Sequence, residues 1–258
     1  MKCNLEDKVC LVTGAARGIG QQIANRFAAN GARVVFTDVL PEVQQSAAQV
    51  GQRALDMNVT DTAQIDQVLS QVVKEFGRLD VLVNNAGINT LAHRVTIDEF
   101  PKSEWDKILA VDLDGVFQVS QAGARIMRAQ GAGRIINIAS IAGLVPLRLQ
   151  CAFIAAKAGV INLTKGMALE LGPYGILVNG IAPGSTLTEG TKQLFYGEGG
   201  KFHEKVQRML DHVPLGRPGT VDEIAVGALF LADPENSYMN GHILTIDGGW
   251  TAGYSRDF

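Results

Sequence analysis

The chain has little cysteine, few aromatics and no excess of positive charge, and each shortage closes off a class of protein. Three cysteines, Cys3, Cys10 and Cys151, make no CxxC pair and no metal-ligand spacing. A disulfide scaffold is therefore not expected, and a reduced, cytoplasmic setting is. The 23 basic residues are dispersed and outnumbered by 26 acidic ones, which leaves no electrostatic footprint for nucleic acid. No run of eighteen apolar residues occurs, so no membrane span is expected. The opening MKCNLEDKVC turns charged too early for a secretory leader. Histidines are scarce as well, and His93 and His203 lack any ligand spacing, so no metal is expected.

What is present is enough apolar material for one sizeable core: 47% of 258 residues. One domain spanning 1–258 is expected. Glycines fall at the ends of apolar runs, where they read as turns. Short β-branched runs at Val9–Thr13, Arg33–Thr37, Ala54–Asp56, Val81–Val83, Arg134–Ile138, Ile176–Ile181 and Ile243–Ile246 predict strands. Between them lie helical patterns at about Gly18–Ala29, Pro41–Val50, Asp61–Phe76, Ser103–Arg128 and Ala152–Leu171. Asp61 and Ser103 are read as N-caps, and Thr220 with Glu223 as a capping box for a helix to Ala232. Gly184–His212 is read as a loop with helical pieces. The alternation predicts an α/β, doubly wound Rossmann fold, its central sheet mostly parallel with helices on both faces.

The first strand runs into Thr13-Gly14-Ala15-Ala16-Arg17-Gly18-Ile19-Gly20 and then a helix. Glycines allow a sharp turn and close approach to a pyrophosphate, and the helix start offers unpaired N–H groups. Asp38 ends the second strand, where a carboxylate accepts hydrogen bonds from both adenosine ribose hydroxyls and repels a 2′-phosphate. It argues for NAD. Arg17 and Arg33 dissent, since a nearby arginine serves NADP.

The GxxxGxG spacing of Gly14, Gly18 and Gly20 resembles the classical short-chain dehydrogenase/reductase family. So do Asp56-Met57-Asn58-Val59, Asn84-Asn85-Ala86-Gly87, Ser140, Lys157 and Pro183-Gly184, and together these cover essentially the whole chain. The resemblance implies NAD contacts from Gly14, Arg17, Gly18, Ile19, Gly20, Asp38, Asp56, Met57, Asn58, Val59, Asn85, Ala86, Gly87, Lys157, Pro183, Gly184 and Thr186. Asp56 or Val59 would lie near adenine. It also implies catalysis by a serine (Ser140), a tyrosine, a lysine (Lys157) and an asparagine. Here the tyrosine position is Phe153 and the asparagine position Asp112. A phenol beside a lysine exchanges a proton as hydride moves; a phenyl ring cannot. Asp112 remains able to accept hydrogen bonds and to pair with Lys157.

Three readings of Phe153 stand: an engineered inactive variant, a natural NAD-binding protein without catalysis that senses the nucleotide, or an enzyme with another proton donor, such as water held by Ser140 or Asp112. The intact surroundings favour the first. The segment 184–213 is read as a substrate lid, with Thr186, Thr188, Glu189, Lys192, Tyr196 and His203 among its polar groups. His93, Arg94, Arg148 and Gln150 are further pocket candidates. Substrate contacts are assigned to Ser140, His93, Arg148, Gln150 and Glu189. Polar groups in this number suit a hydroxylated small molecule. Resemblance near His93–Phe100 and at the C-terminus leans to sugar and polyol dehydrogenases, with 3-oxoacyl-type carbonyl reduction as the alternative. Asp247-Gly248-Gly249 resembles a tetramer-forming segment, and Tyr254–Phe258 would reach a neighbouring subunit. A homotetramer is expected, packed through the two long helices, because Ile108, Val111, Val116, Phe117 and Val119 lie on more than one face.

Overall fold

The apolar runs become nine strands in the computed structural model, which describes residues 3–90, 93–188 and 204–253. They are β1 (Val9–Thr13), β2 (Arg33–Asp38), β3 (Arg53–Asp56), β4 (Val81–Asn84), β5 (Gly133–Ile138), β6 (Ile176–Pro183), β7 (Thr186–Leu187), β8 (Gly219–Thr220) and β9 (Ile243–Ile246). Seven form one sheet in the order β3-β2-β1-β4-β5-β6-β9, with every neighbouring pair parallel. Its strands coincide with the seven expected ones to within two residues at each end. The short β7, inside the segment expected to be loop with helical pieces, pairs in parallel with β8, just before the helix expected from Thr220. That pairing joins residues too distant in the chain for local spacing to show.

The described residues include eight α-helices: α1 (Gly18–Ala28), α2 (Glu42–Ala48), α3 (Thr62–Phe76), α4 (Lys102–Leu109), α5 (Gly115–Gln130), α6 (Cys151–Leu171), α7 (Glu204–Leu210) and α8 (Val221–Ala232). Because side chains alternate along a strand, β1 feeds two cores. Cys10 and Val12 join Ile23, Phe27, Ile224 and Leu229 beneath α1 and α8. Val9 and Leu11 join Ile65, Leu69, Leu82 and Met127 beneath α3 and α5. Strands buried on both faces explain why their sequences are continuous apolar runs.

The expected caps at two helices are in place. Asp61 accepts hydrogen bonds from the amides of Ala63 and Gln64, and Thr220 and Glu223 form a reciprocal capping box. The cap expected at Ser103 is not. α4 starts at Lys102 behind Pro101, and Ser103 lies within its first turn. Proline, with φ near −65° and no N–H to satisfy, starts the helix itself. The single long helix expected over Ser103–Arg128 runs without interruption from Lys102 to Gln130, as α4 and α5 joined by a π-helical turn at Ala110–Asp114 that the pattern did not show.

The helix that starts as α6 and runs on to Tyr174 is long and apolar enough, by length and composition alone, to cross a membrane. Its Ala152, Ala156, Val160, Ile161 and Thr164 are buried, and Lys157 is buried with them. That is how a core helix reads.

Candidate active site

All seven strands of the large sheet run the same way, so whatever follows them gathers at one edge. After β1 comes the glycine turn. Gly14 has φ of 65°, and a Cβ there would stand 2.7 Å from Ala86 Cα and 2.9 Å from Asn85 Nδ2. A Cβ at Gly20 would press into Asn85 Nδ2 and the Gly14 carbonyl. The turn is bolted to the end of β4: Thr13 Oγ1 accepts from the amides of Asn85 and Ala86, both at 3.0 Å. Asn85 Nδ2 donates to the carbonyls of Thr13 and Gly14, at 2.9 and 3.0 Å. Thr13 was not among the expected site residues, and only its place just before Gly14 marks it.

α1 follows with no side-chain cap from Arg17, so its first N–H groups have no side-chain partner there. Asp38 overhangs the turn. One carboxylate oxygen accepts from the Ala16 amide and the other from the Leu40 amide, each at 3.0 Å. Each oxygen has a second lone pair. Arg17 is exposed at the turn. Arg33 is removed from contention. It starts β2, about 16 Å of strand from Asp38, where it donates to the Asp7 carbonyl and stands over the Phe76 ring. A backbone cradle that any side chain would fill, an uncapped helix start and a carboxylate at its mouth fit an adenine dinucleotide.

Along β3's exit the residues divide. Asp56 is exposed and bonded to Gln44 Nε2. Asn58 binds the Thr60 amide. Met57 and Val59 turn into the core, where Val59 fills the space a side chain at Gly115 would take. Ile19 packs against the core under α1. Pro183 ends β6, and Gly184 lies so close to Asp247 that a Cβ would stand 2.7 Å from its Cα. Thr186 Oγ1 donates to the Gly184 carbonyl.

Past β5 the materials change from backbone to side chains. Ser140 Oγ accepts from the Ala142 amide at 3.1 Å, and its own proton is available for donation. The next turn lies flat on α6: a Cβ at Gly143 would stand 2.6 Å from the Lys157 carbonyl carbon. Lys157 Nζ reaches back to the Ile138 carbonyl at 3.3 Å. Phe153, one helical turn earlier, packs against Ile108, Ala152 and Ala156, with its ring centre 5.6 Å from Nζ. The π-helical turn places Asp112 here too, fully buried, with Oδ1 accepting from the Ile88 amide at 2.7 Å. Its Oδ2 lies 3.1 Å from Lys157 Nζ, an ion pair by distance, but is not aligned as a hydrogen bond. Lys157 is thus brought beside Asp112 and Phe153, and Ser140 stands at the end of β5, two residues beyond the Ile138 carbonyl that Lys157 reaches.

Beneath this corner runs a buried polar ladder that the sequence did not reveal. Asn84 Nδ2 donates to Ser120 Oγ and Asn137 Oδ1, and Asn137 Nδ2 to Thr164 Oγ1, each at 2.8 Å. Asparagines within two apolar strands were its only signal.

The substrate candidates are less closely gathered. His93 is half exposed and paired with Glu104 on α4. Arg148 is exposed, whereas Gln150 is buried just before α6. Glu189, Lys192, Tyr196, His203 and Tyr254–Phe258 lie outside the described residues. The described ends of the expected lid meet at one place. Gly184 touches Asp247, and a Cβ at Gly248 or Gly249 would meet Val213 or Pro214. Burial pushes the Asp247 carboxyl up, but bonds from Thr251 and the Gly249 amide outweigh it and hold it below the ordinary carboxylate range.

Comparison with known proteins agrees with this geometry. A family model described as enoyl-(acyl carrier protein) reductase matches residues 14–251. An NAD-dependent glycerol dehydrogenase of Listeria innocua is 37% identical over 96% of this chain and 95% of its own length. A 3-oxoacyl-(acyl-carrier-protein) reductase of Thermotoga maritima is 41% identical over 95% and 98%. The crystal structure of levodione reductase superposes with a TM-score of 0.89 at 35% identity, covering 97% of this chain and all of that one.

Proposed function

We propose that this chain, which belongs to the short-chain dehydrogenase/reductase family, is an NAD-dependent oxidoreductase. It interconverts a secondary alcohol and a ketone on a polyol, sugar or sugar-derived substrate, with turnover held down by Phe153. The observation that carries the reading is the meeting of two groups at one sheet edge: the glycine turn with Asp38 at its mouth, and Ser140 with Lys157. The likeness to a glycerol dehydrogenase supports the substrate class.

The roles follow from chemistry. The Gly14–Gly20 turn and the α1 start would hold the pyrophosphate, and Asp38 would take the adenosine ribose hydroxyls. The nicotinamide, when bound, would supply or take up hydride. Ser140 would donate a hydrogen bond to the reacting oxygen, and Lys157 would hold the nicotinamide ribose and stabilise negative charge on that oxygen. The ring of Phe153 preserves the packing against Ile108 and Ala156 but carries no exchangeable proton.

The decisive experiment is Phe153→Tyr, assayed on polyols, sugars and sugar acids with NAD and NADP. The expected gain in kcat is about 10²–10⁴-fold, the range for a restored acid–base group, with substrate affinity nearly unchanged. A gain below about threefold shows that phenylalanine belongs to a different mechanism. Tight NAD binding without turnover in both forms favours a nucleotide-sensing protein. Turnover of 3-oxoacyl thioesters with NADP, and none of polyols, favours the acyl-reductase alternative, which the 41% identical relative supports. Asp38→Ala is expected to weaken NAD and relax rejection of NADP, each lost charge-assisted bond being worth roughly 1.5–3 kcal/mol.

Assembly as a homotetramer through α4–α5 and α6 belongs to the same proposal. Ile108, Val116 and Val119 are consumed inside the subunit, so they do not argue for it. Phe117 and Leu169, at 49% and 81% exposure, do. Sedimentation as a monomer at micromolar concentration refutes it.

A further inference from the structure

Two residues around one buried ammonium depart from the family resemblance, and their departures are complementary. Phe153 takes away an exchangeable proton beside Lys157, and Asp112 brings a full negative charge to within 3.1 Å of Nζ. The bond from the Ile88 amide does not require that charge, because an asparagine oxygen accepts it equally well. Net stability does not require it either, since a buried ion pair gains little over an uncharged arrangement. What the carboxylate adds is Oδ2: fully buried, facing the ammonium, and without a hydrogen bond of its own.

The pair is buried directly beneath an exposed glycine. A Cβ at Gly87 would stand 2.9 Å from Asp112 Oδ2 and 3.4 Å from Lys157 Nζ. The glycine leaves no side chain to press on the two charged atoms. In general, an ammonium and a carboxylate taken out of water lose hydration, and one proton passed between them cancels both charges.

We propose that Asp112 and Lys157 are the proton-transfer couple of this chain, acting in place of a phenol. The proposal rests on the oxidoreductase reading above. In alcohol oxidation, one proton of the Lys157 ammonium moves to Asp112 Oδ2, leaving an amine with a lone pair. That lone pair takes the hydroxyl proton of the substrate. The O–H electron pair becomes the second bond of the carbonyl, as the carbinol carbon gives its hydride to oxidised nicotinamide. Lys157 ends as ammonium and Asp112 as a neutral acid; once the ketone has left, Lys157 gives a proton to water entering the vacated site and regains one from Asp112 Oδ2. Ketone reduction runs the same steps backwards. Lys157 touches the reacting oxygen; Asp112 acts through Lys157 and is a positioning and proton-storing residue.

The test is a cycle of Asp112→Asn and Phe153→Tyr, read in two ways. In steady-state kinetics, Asp112→Asn is expected to lower kcat at least about tenfold in the Phe153 chain. KM and the calorimetric NAD affinity should stay within about threefold. In the Phe153→Tyr background, where a phenol carries the proton, the same change should cost less than about threefold. In cofactor-free protein, Asp112→Asn should lower the melting temperature more in the Phe153 chain than in the Tyr chain, whose phenol gives the ammonium a partner. Equal kcat losses in the two backgrounds, or none in the Phe153 chain, overturn the proposal. If neither background turns over any alcohol, the oxidoreductase reading has failed, and the melting comparison decides the coupling alone: equal losses overturn it. Should Asp112→Asn fail to fold, Gly87→Ala covers the pair without removing a charge. It is then expected to lower kcat more in the Phe153 chain than in the Tyr chain, and equal losses overturn the proposal.

Discussion

The glycine turn and the Asp112–Lys157 corner stand at the same edge of the sheet but are made of opposite materials. The turn is backbone: Gly14 and Gly20 leave no room for a methyl group, and Thr13 and Asn85 pin the strand ends. The corner is side chains and charge: one buried cation, one buried anion and a ring. A backbone site fails by steric intrusion and a charged site by loss of a partner. The first tolerates changes in nearby charge; the second does not tolerate the removal of either ion alone.

Breaking the corner should have the largest effect. Lys157→Met leaves Asp112 buried without its counter-charge and is expected to destabilise the chain by about 3–5 kcal/mol in urea unfolding. A loss under about 1 kcal/mol would show the pair to be as dispensable as a surface one. The comparison sharpens if Lys157→Met and Asp112→Asn together prove more stable than Lys157→Met alone, because no charge then remains unpaired.

Breaking the turn should come next. Gly20→Ala overpacks against Asn85 and the Gly14 carbonyl, at a cost of roughly 1–3 kcal/mol. Calorimetry should show NAD affinity falling with it, while the Lys157 corner is untouched. Unchanged affinity would mean the cradle has slack that the geometry denies. Thr13→Val probes the same turn without adding bulk. It strands the Asn85 and Ala86 amides, and about 1–3 kcal/mol is expected.

The smallest effects belong to the start of α8, beside β7 rather than in either site. Thr220→Ala removes half of a capping box and should cost about 1 kcal/mol, with the Lys157 corner unaffected. Its partner Glu223 is held down at about 2 by hydrogen bonds from Arg217 first and from the Thr220 amide. A carboxyl lower in the folded than in the unfolded chain contributes stability above its ordinary value of 4.5, and that stability is lost as pH falls toward 2. Glu223→Gln should flatten the acid limb of the stability profile between those limits. An unchanged limb would assign it to other carboxyls, such as Asp222 beside Arg26.

The same division explains what was legible in the sequence. Seven strands, the Asp61 cap, the Thr220–Glu223 box and the glycine turn are local patterns, and each lies where its residues predicted. The π-helical turn within the long helix was not legible, because it serves a contact between Asp112 and a lysine far along the chain. The same holds for His93 with Glu104, for β7 with β8, and for the ladder from Ser120 to Thr164. Of the candidate site, the members were named by what the family resemblance implies. That Arg33 stands at the wrong end of β2, and that Met57 faces the core, could only come from the folded chain.

The π-helical turn at Ala110–Asp114 has a consequence in terms of register. Each residue of an α-helix advances about 100° around its axis, and a wide turn absorbs one residue beyond the regular count. With it, Asp112 aims at Lys157 while Val116 and Val119, further along, still face the core. Delete one residue from this turn and the count becomes regular, but the two sets rotate about 100° against each other. The chain would then have to expose the valines or turn the carboxylate away. An insertion of a single residue is thus the device by which one helix serves two partners on different bearings. Among the described residues, this stretch should be the one where shortening by one position harms the protein more than any conservative replacement.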